Sequence, residues 1–305
     1  MKIVGDTWFN SKPLVESDLK GKNVLVIFWA YSNANSLKAL SHVQKWYETY
    51  KDKGMIFLSI HSPEFEFEKV PENVEQAIRD LKITWPVVLD NEYENWKKFR
   101  NRYWPAQYLV NRGGDIVYIH HREGDYEEIE NEIQKLLKTY DKDLKFPDIV
   151  LKQKEQPTVS CSLTPELFCG YELGRVSGGY LYDKKNTYRS PRSLKGDSIA
   201  LEGEFLAKAD YLESASMGAK MFINFRATEI NIVMKPVKEK AVVGVFFNEE
   251  PLLKGMRGDD VNDHGEVVVD RPQVYNIFKS SSKQNGIFTI KAKEKKFQAF
   301  ALTFF

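Results

Sequence analysis

The run Asn23-Val24-Leu25-Val26-Ile27-Phe28-Trp29-Ala30 is apolar at every position after the first. A half-exposed strand alternates apolar and polar side chains, so an unbroken run predicts a strand with protein on both faces, at the centre of a sheet covered by helices. The next segments fit that layout. From Ser36 to about Tyr50, Leu37, Leu40, Val43, Trp46 and Tyr47 recur at helical spacing, and Lys53-Gly54 ends the helix. A strand follows from Met55 to Ile60, then a helix from about Glu72 to Leu81 whose first turn opens at Pro71, and a strand from Trp85 to Leu89. A short aromatic helix around Trp96 and Phe99, a strand Gln107 to Val110, a Gly113-Gly114 turn, a strand Asp115 to His120 and a helix Tyr126 to Leu137 complete the half. The sum is a mixed sheet sandwiched by helices.

The 305 residues are enough for two cores. All six tryptophans lie before residue 105, so the halves are built differently. Residues 143–157 are charged and bounded by prolines and read as a linker between a first domain, 1–142, and a second, 158–305. The second half predicts strands at Ser198 to Phe205, Ala207 to Leu212, Ala219 to Phe225, Glu229 to Met234, Ala241 to Phe247, Glu266 to Val269, Gln273 to Phe278, Gly286 to Ala292 and Gln298 to Phe304. With no long helix among them, the expected fold is an all-β, jelly-roll-like sandwich.

Lys and Arg number 44 against 43 Asp and Glu, a formal charge of +1 that gives no electrostatic ground for a nucleic-acid partner. No segment approaches the roughly 20 apolar residues of a membrane span, and the start Met1-Lys2-Ile3-Val4-Gly5-Asp6 lacks the apolar stretch of a signal peptide. The chain as given therefore reads as soluble and cytoplasmic. Its two cysteines, Cys161 and Cys169, are too few for a disulfide scaffold, although eight positions apart they could pair across a loop.

Several segments carry a resemblance. Phe28-Trp29-Ala30-Tyr31-Ser32 leads from strand to helix where thioredoxin-like proteins place their redox motif. Trp85 to Asn91, Asn101 to Leu109, Gly124 to Glu128 and, in the second half, Ser162 to Tyr171 resemble DipZ-type proteins, a branch of the TlpA-like redoxins. The resemblance implies a thioredoxin-like fold in residues 1–142, a carbohydrate-binding-module-like domain after it, thiol-disulfide oxidoreductase activity and, as an alternative compartment, work outside the cytoplasm. In such redoxins a Cys-x-x-Cys pair opens the first long helix, whose N-terminus lowers the first thiol's pKa while the second resolves the mixed disulfide. Here Asn33, Ala34, Asn35 and Ser36 stand at the four positions, and both cysteines are absent. The expectation is a degenerate site in which Asn33 or Ser36 caps the helix. Pro105 matches the proline that thioredoxins hold cis opposite the motif. Trp29, Tyr31, Asn33, Ala34, Asn35, Ser36, Trp104 and Pro105 are thus the expected binding groove, with no catalytic residue, metal or cofactor.

Other candidates have plainer readings. His61 is expected as a hydrogen-bonded loop histidine without a nucleophile to serve. His120 and His121 point to opposite faces of a strand and suggest no metal. Tyr180, Tyr182 and Tyr188 could form an aromatic platform for sugar, against turn and core roles, and Asp259, Asp260, Asp263 and His264 could hold Ca²⁺, against a solvated hairpin connection. Cys169, between Phe168 and Gly170, reads as buried. The function expected is a non-catalytic binding or scaffold protein for a peptide, protein or glycan; the alternative is an oxidoreductase acting through other thiols.

Overall fold

The computed structural model describes residues 1–146 and 163–305. Two compact units divide the chain, Met1–Thr158 and Val159–Phe305. The first runs β1 (Trp8–Phe9), α1 (Glu16–Leu19), β2 (Asn23–Trp29), α2 (Ala34–Tyr50), β3 (Met55–His61), α3 (Pro71–Asp80), β4 (Val87–Leu89), α4 (Glu94–Lys98), β5 (Ala106–Val110), β6 (Ile116–His121) and α5 (Tyr126–Tyr140). The six strands form one sheet in the order β1-β4-β3-β2-β5-β6. Central β2 is buried at every residue, as its unbroken apolar run requires. It pairs parallel with β3 and antiparallel with β5. Val24, Val26 and Phe28 face one core layer together with Leu58, Ile60, Val88 and Tyr108; Leu25, Ile27 and Trp29, equally buried, face the other.

Helix α2 is anchored through a buried carboxylate. Glu130 of α5 accepts from Trp46 Nε1 at 3.2 Å and from the Tyr50 hydroxyl at 2.7 Å. Gly54, in the left-handed region at φ 90°, then turns the chain into β3. These contacts fix where the first turn of α2 lies relative to the ends of β2 and β3.

The second unit is mostly β: β7 (Leu167–Phe168), β8 (Lys185–Tyr188), β9 (Ser198–Ala207), β10 (Leu212–Ser214), β11 (Lys220–Pro236), β12 (Ala241–Phe247), β13 (Glu250–Pro251), β14 (Glu266–Val269), β15 (Gln273–Glu294) and β16 (Phe297–Phe304). Its ladder runs β13-β12-β15-β11-β16-β10-β9-β8, and β11 also pairs β9, so the sheet returns on itself around a single core. Three expectations are corrected. The two strands expected at 219–225 and 229–234 are one, β11, because a bulge between Ala227 and Glu229 carries the ladder through without a break. Likewise 273–278 and 286–292 belong to β15, whose polar stretch Ser280–Asn285 stays extended. The strand expected from Ala207 to Leu212 is instead a turn, closed by Lys208 N–H donating to Tyr211 O at 2.9 Å. Most of the expected linker, 147–157, lies outside the described residues, as does Cys161.

Candidate functional site

The site is the junction of the β2 end, the β3 end and the first turn of α2. Asn33 is the N-cap of α2: its backbone is extended, and its side-chain oxygen accepts from Ser36 N–H at 2.9 Å. The amide end of the same side chain donates to Glu64 Oε2 at 3.0 Å. Ser36 is fully buried, and its hydroxyl accepts from Ala30 N–H at 3.4 Å. Asn33 and Ser36, at the positions where the resemblance implies cysteines, are therefore both engaged in fixing the backbone.

A second carboxylate completes the enclosure. After β3 the chain passes through Ser62-Pro63-Glu64 into a single 3₁₀ turn, Glu66–Lys69, that swings Glu68 under Ser32. Glu68 Oε1 accepts from both the N–H and the hydroxyl of Ser32 at 2.8 Å, and Oε2 accepts from the N–H groups of Glu64 and, at 3.1 Å, Phe65. Burial pushes the Glu68 carboxyl above the ordinary carboxylate range, and these four donors pull the other way. His61 closes the site from the β3 side. It is the last residue of a strand rather than a loop residue, because its partner Trp29 keeps the β2–β3 ladder paired to the end. Its Nε2 accepts from Tyr31 N–H at 3.2 Å and its ring stacks on Tyr31 at 5.7 Å. Desolvation lowers its pKa to about 3, so the imidazole is neutral and its lone pair is engaged. It is no base for Ser36.

Of the eight groove residues expected from sequence, the structure groups Trp29, Tyr31, Asn33, Ala34 and Ser36 in this enclosed junction, each less than one-tenth exposed. Asn35 is half-buried. Trp104 is half-buried too: its Nε1 donates to Ser62 O at 2.9 Å and its ring lies 4.3 Å from that of Trp96. The Trp104–Pro105 bond is cis. Trp104 precedes the first β2–β5 pair, Phe28 with Ala106, so its main chain stands outside the ladder.

Glu64 and Glu68 were missed in the sequence reading. The two phenylalanines of Glu64-Phe65-Glu66-Phe67-Glu68 give the segment a reason to lie against the core, and both are buried with their rings stacked 5.6 Å apart, but nothing in that stretch marks Glu68 itself as buried. The remaining candidates disperse. Asp259 pairs with Lys279 at 3.2 Å, Asp263 with Arg257 at 3.2 Å, and Asp260 accepts from Asn276 N–H at 2.7 Å, so the three carboxylates serve separate partners. Tyr188 is buried and the Tyr180 hydroxyl donates to Cys169 O at 2.9 Å, leaving Tyr182 exposed beside Tyr171 rather than in a platform of three. Cys169 is a fully buried free thiol whose pKa is pushed far up by desolvation.

Comparison with known proteins bears on both units. The AhpC/TSA family model matches residues 9–119, and a thioredoxin-like C-terminal domain model matches residues 164–304. DipZ of Mycobacterium bovis is 38% identical over 236 residues, covering 74% of this chain and 33% of DipZ. The chain belongs to the DipZ-type, TlpA-like branch of the thioredoxin family. It spans about a third of the length of the DipZ proteins it matches. The thiol-disulfide oxidoreductase YkuV of Bacillus subtilis is 25% identical over 109 residues, 36% of this chain and 73% of YkuV. Among solved structures, a thiol-disulfide isomerase from Corynebacterium glutamicum aligns with a TM-score of 0.43 at 23% identity over 45% of this chain and 94% of its own. Within this DipZ-type chain the N-terminal unit has the thioredoxin-like fold and the C-terminal unit is mostly β. No helix among the described residues is long and apolar enough to cross a membrane.

Proposed function

We propose that this chain is a non-catalytic member of its family, a binding protein that takes an extended peptide or protein partner at the half-exposed surface of Asn35 and Trp104. One observation carries the reading: Asn33, at the place of the nucleophilic cysteine, caps α2 through its oxygen and holds Glu64 through its nitrogen, at 6% exposure. A side chain so engaged has neither a nucleophilic sulfur nor access to a substrate disulfide. The partner surface follows from Trp104, whose ring is held by Ser62 and Trp96 while its main chain lies outside the ladder.

Exchange through other thiols is the alternative within the chain. Cys169 is buried and held protonated by desolvation, which gives it no thiolate to attack with. The test restores the lost chemistry. With dithiothreitol and insulin, the Asn33→Cys, Ser36→Cys variant turns over slowly because the Glu64 carboxylate, which holds Asn33 in the wild type, still lies beside position 33, and adding Glu64→Ala raises the rate. A restored variant that stays inactive with and without Glu64→Ala contradicts a preserved groove.

A further inference from the structure

Two strand connections at one end of the mostly-β unit are built largely from lysine. Where β11 passes to β12 the chain reads Lys235-Pro236-Val237-Lys238-Glu239-Lys240, and where β15 passes to β16 it reads Lys291-Ala292-Lys293-Glu294-Lys295-Lys296. These are seven lysines against two glutamates, in a chain whose formal charge is only +1. Lys295 is paired with Glu239 at 3.0 Å and Lys293 with Glu266 at 2.6 Å. Lys235, Lys238, Lys240, Lys291 and Lys296 form no ion pair among the described residues. The neighbouring turn, between Val269 opposite Ala241 and Gln273 opposite Met234, adds Asp270 and Arg271, one charge of each sign. The positive charge is therefore concentrated at this end.

Hydrogen bonds fasten the two connections to each other and to the β10–β11 turn: Val237 N–H donates to Lys296 O at 3.1 Å, and Gly218 N–H to Ala292 O at 2.8 Å. Gly218, in the left-handed region at φ 78°, closes that turn and leaves Met217 at its tip. Met217 is 74% exposed, the most exposed large apolar side chain among the described residues. A groove of about 520 Å³ opens between the turns, with Ala215, Met217 and Val237 as its apolar lining and Lys238, Lys295 and Lys296 beside them. Lysine stems are themselves apolar, so they extend the apolar surface while their ammonium groups ring it.

We propose that this end of the β unit docks on an anionic phospholipid surface, Met217 entering the headgroup layer while the lysines lie against lipid phosphates and carboxylates. Three features select that partner. Unpaired lysines on adjoining connections are complementary to a surface of diffuse negative charge, to which each contributes separately. Every basic residue of the two connections is lysine, a hydrated point charge, whereas a built site for the carboxylates of an acidic peptide draws on the bidentate fork of arginine. An apolar tip ringed by cations suits a medium that is apolar below and anionic at its surface, and no aromatic ring lines the groove for nucleic-acid bases to stack on. The surface belongs to the β unit alone and does not rest on the reading given for the thioredoxin-like unit.

The test is cosedimentation of the full chain with vesicles of phosphatidylcholine alone and of phosphatidylcholine mixed with phosphatidylserine. Wild type sediments with the anionic vesicles and not with the neutral ones, and raising the salt from about 0.1 M to about 1 M releases it, because the screening length falls from roughly 10 Å to 3 Å. The Lys238→Gln, Lys296→Gln variant binds about 25-fold more weakly, at about fivefold for each lysine removed. Met217→Ser weakens binding several-fold with no change in charge. A Lys195→Gln, Lys254→Gln variant, which loses the same charge from exposed positions outside these connections, binds as wild type does. The proposal is overturned if wild type stays in solution with the anionic vesicles or sediments equally with the neutral ones, or if the Lys195, Lys254 variant is weakened as much as the Lys238, Lys296 variant. It is also overturned if soluble polyglutamate or duplex DNA displaces the vesicles while Met217→Ser changes nothing, the result expected of an acidic protein or nucleic-acid partner.

Discussion

The start of α2 and the outer face of the β unit both mix polar with apolar side chains, and both keep a buried polar atom without a hydrogen-bond partner among the described residues, Trp29 Nε1 and His61 Nδ1 at the first and the Thr289 hydroxyl at the second; they differ in how much of the remaining polar inventory is engaged. Around Asn33 the side chains that could serve chemistry are tied to one another: Asn33 to Ser36 and Glu64, Ser32 to Glu68, Tyr31 N–H to His61. On the β face the neighbours of Thr289 across the ladder are the half-buried rings of Phe222 and Phe246, which offer its hydroxyl no partner. A site without reactive atoms can persist as a polar staple for the fold.

The comparison breaks most sharply at Glu68. Replacing it with leucine removes the acceptor from four donors and is expected to cost about 4 kcal/mol; the check is the denaturant midpoint, read alongside an unchanged slope. If the variant is as stable as wild type, the staple is not one. Glu68→Gln, which keeps an acceptor, is expected to lie between.

Acid sharpens the same point through His61. The folded state keeps it neutral down to about pH 3, against an ordinary value of 6.5. Between those values the unfolded chain binds the extra proton, so stability falls as pH falls through that window. From pH 7 to pH 4.5 the contribution is about 3 kcal/mol at 1.36 kcal/mol per pH unit. His42, lowered to about 4 by desolvation, acts with the same sign. Unfolding at the two pH values, compared between wild type and His61→Gln, isolates the His61 share; equal pH slopes would show that His61 is not held neutral.

Asn33→Ala is expected to cost about 1–2 kcal/mol, the ordinary range for a lost N-cap. By contrast Tyr182→Ala, at a residue 63% exposed, should change stability by less than about 0.5 kcal/mol. Thermal unfolding of both variants puts them on one scale. An effect at Tyr182 equal to that at Asn33 would remove the distinction between an engaged and a free surface.

The parts legible in sequence were those set by local pattern. β2 announced itself because a strand buried on both faces cannot hide its apolar run, and Pro71 marked the first turn of α3 because it lacks only an N–H that the helix start leaves unbonded. That the start of α2 is capped was legible, by Asn33 or Ser36, and the structure gives the cap to Asn33. Glu68 was not, because a carboxylate in a charged stretch normally stays in water and its burial depends on Ser32, thirty-six positions away. β15 misled for the related reason that Ser280–Asn285 has turn composition, while strand partners elsewhere in the chain decide its conformation. The Phe222–Thr289–Phe246 row was invisible because it exists only in the register of three strands.

The central claim, that hydrogen bonding has replaced thiol chemistry at the start of α2, is tested most directly by insulin reduction with the full wild-type chain and a cysteine-free Cys161→Ser, Cys169→Ser variant. The account predicts that both run at the rate of dithiothreitol alone. Wild-type turnover above that background, lost in the cysteine-free variant, would contradict it.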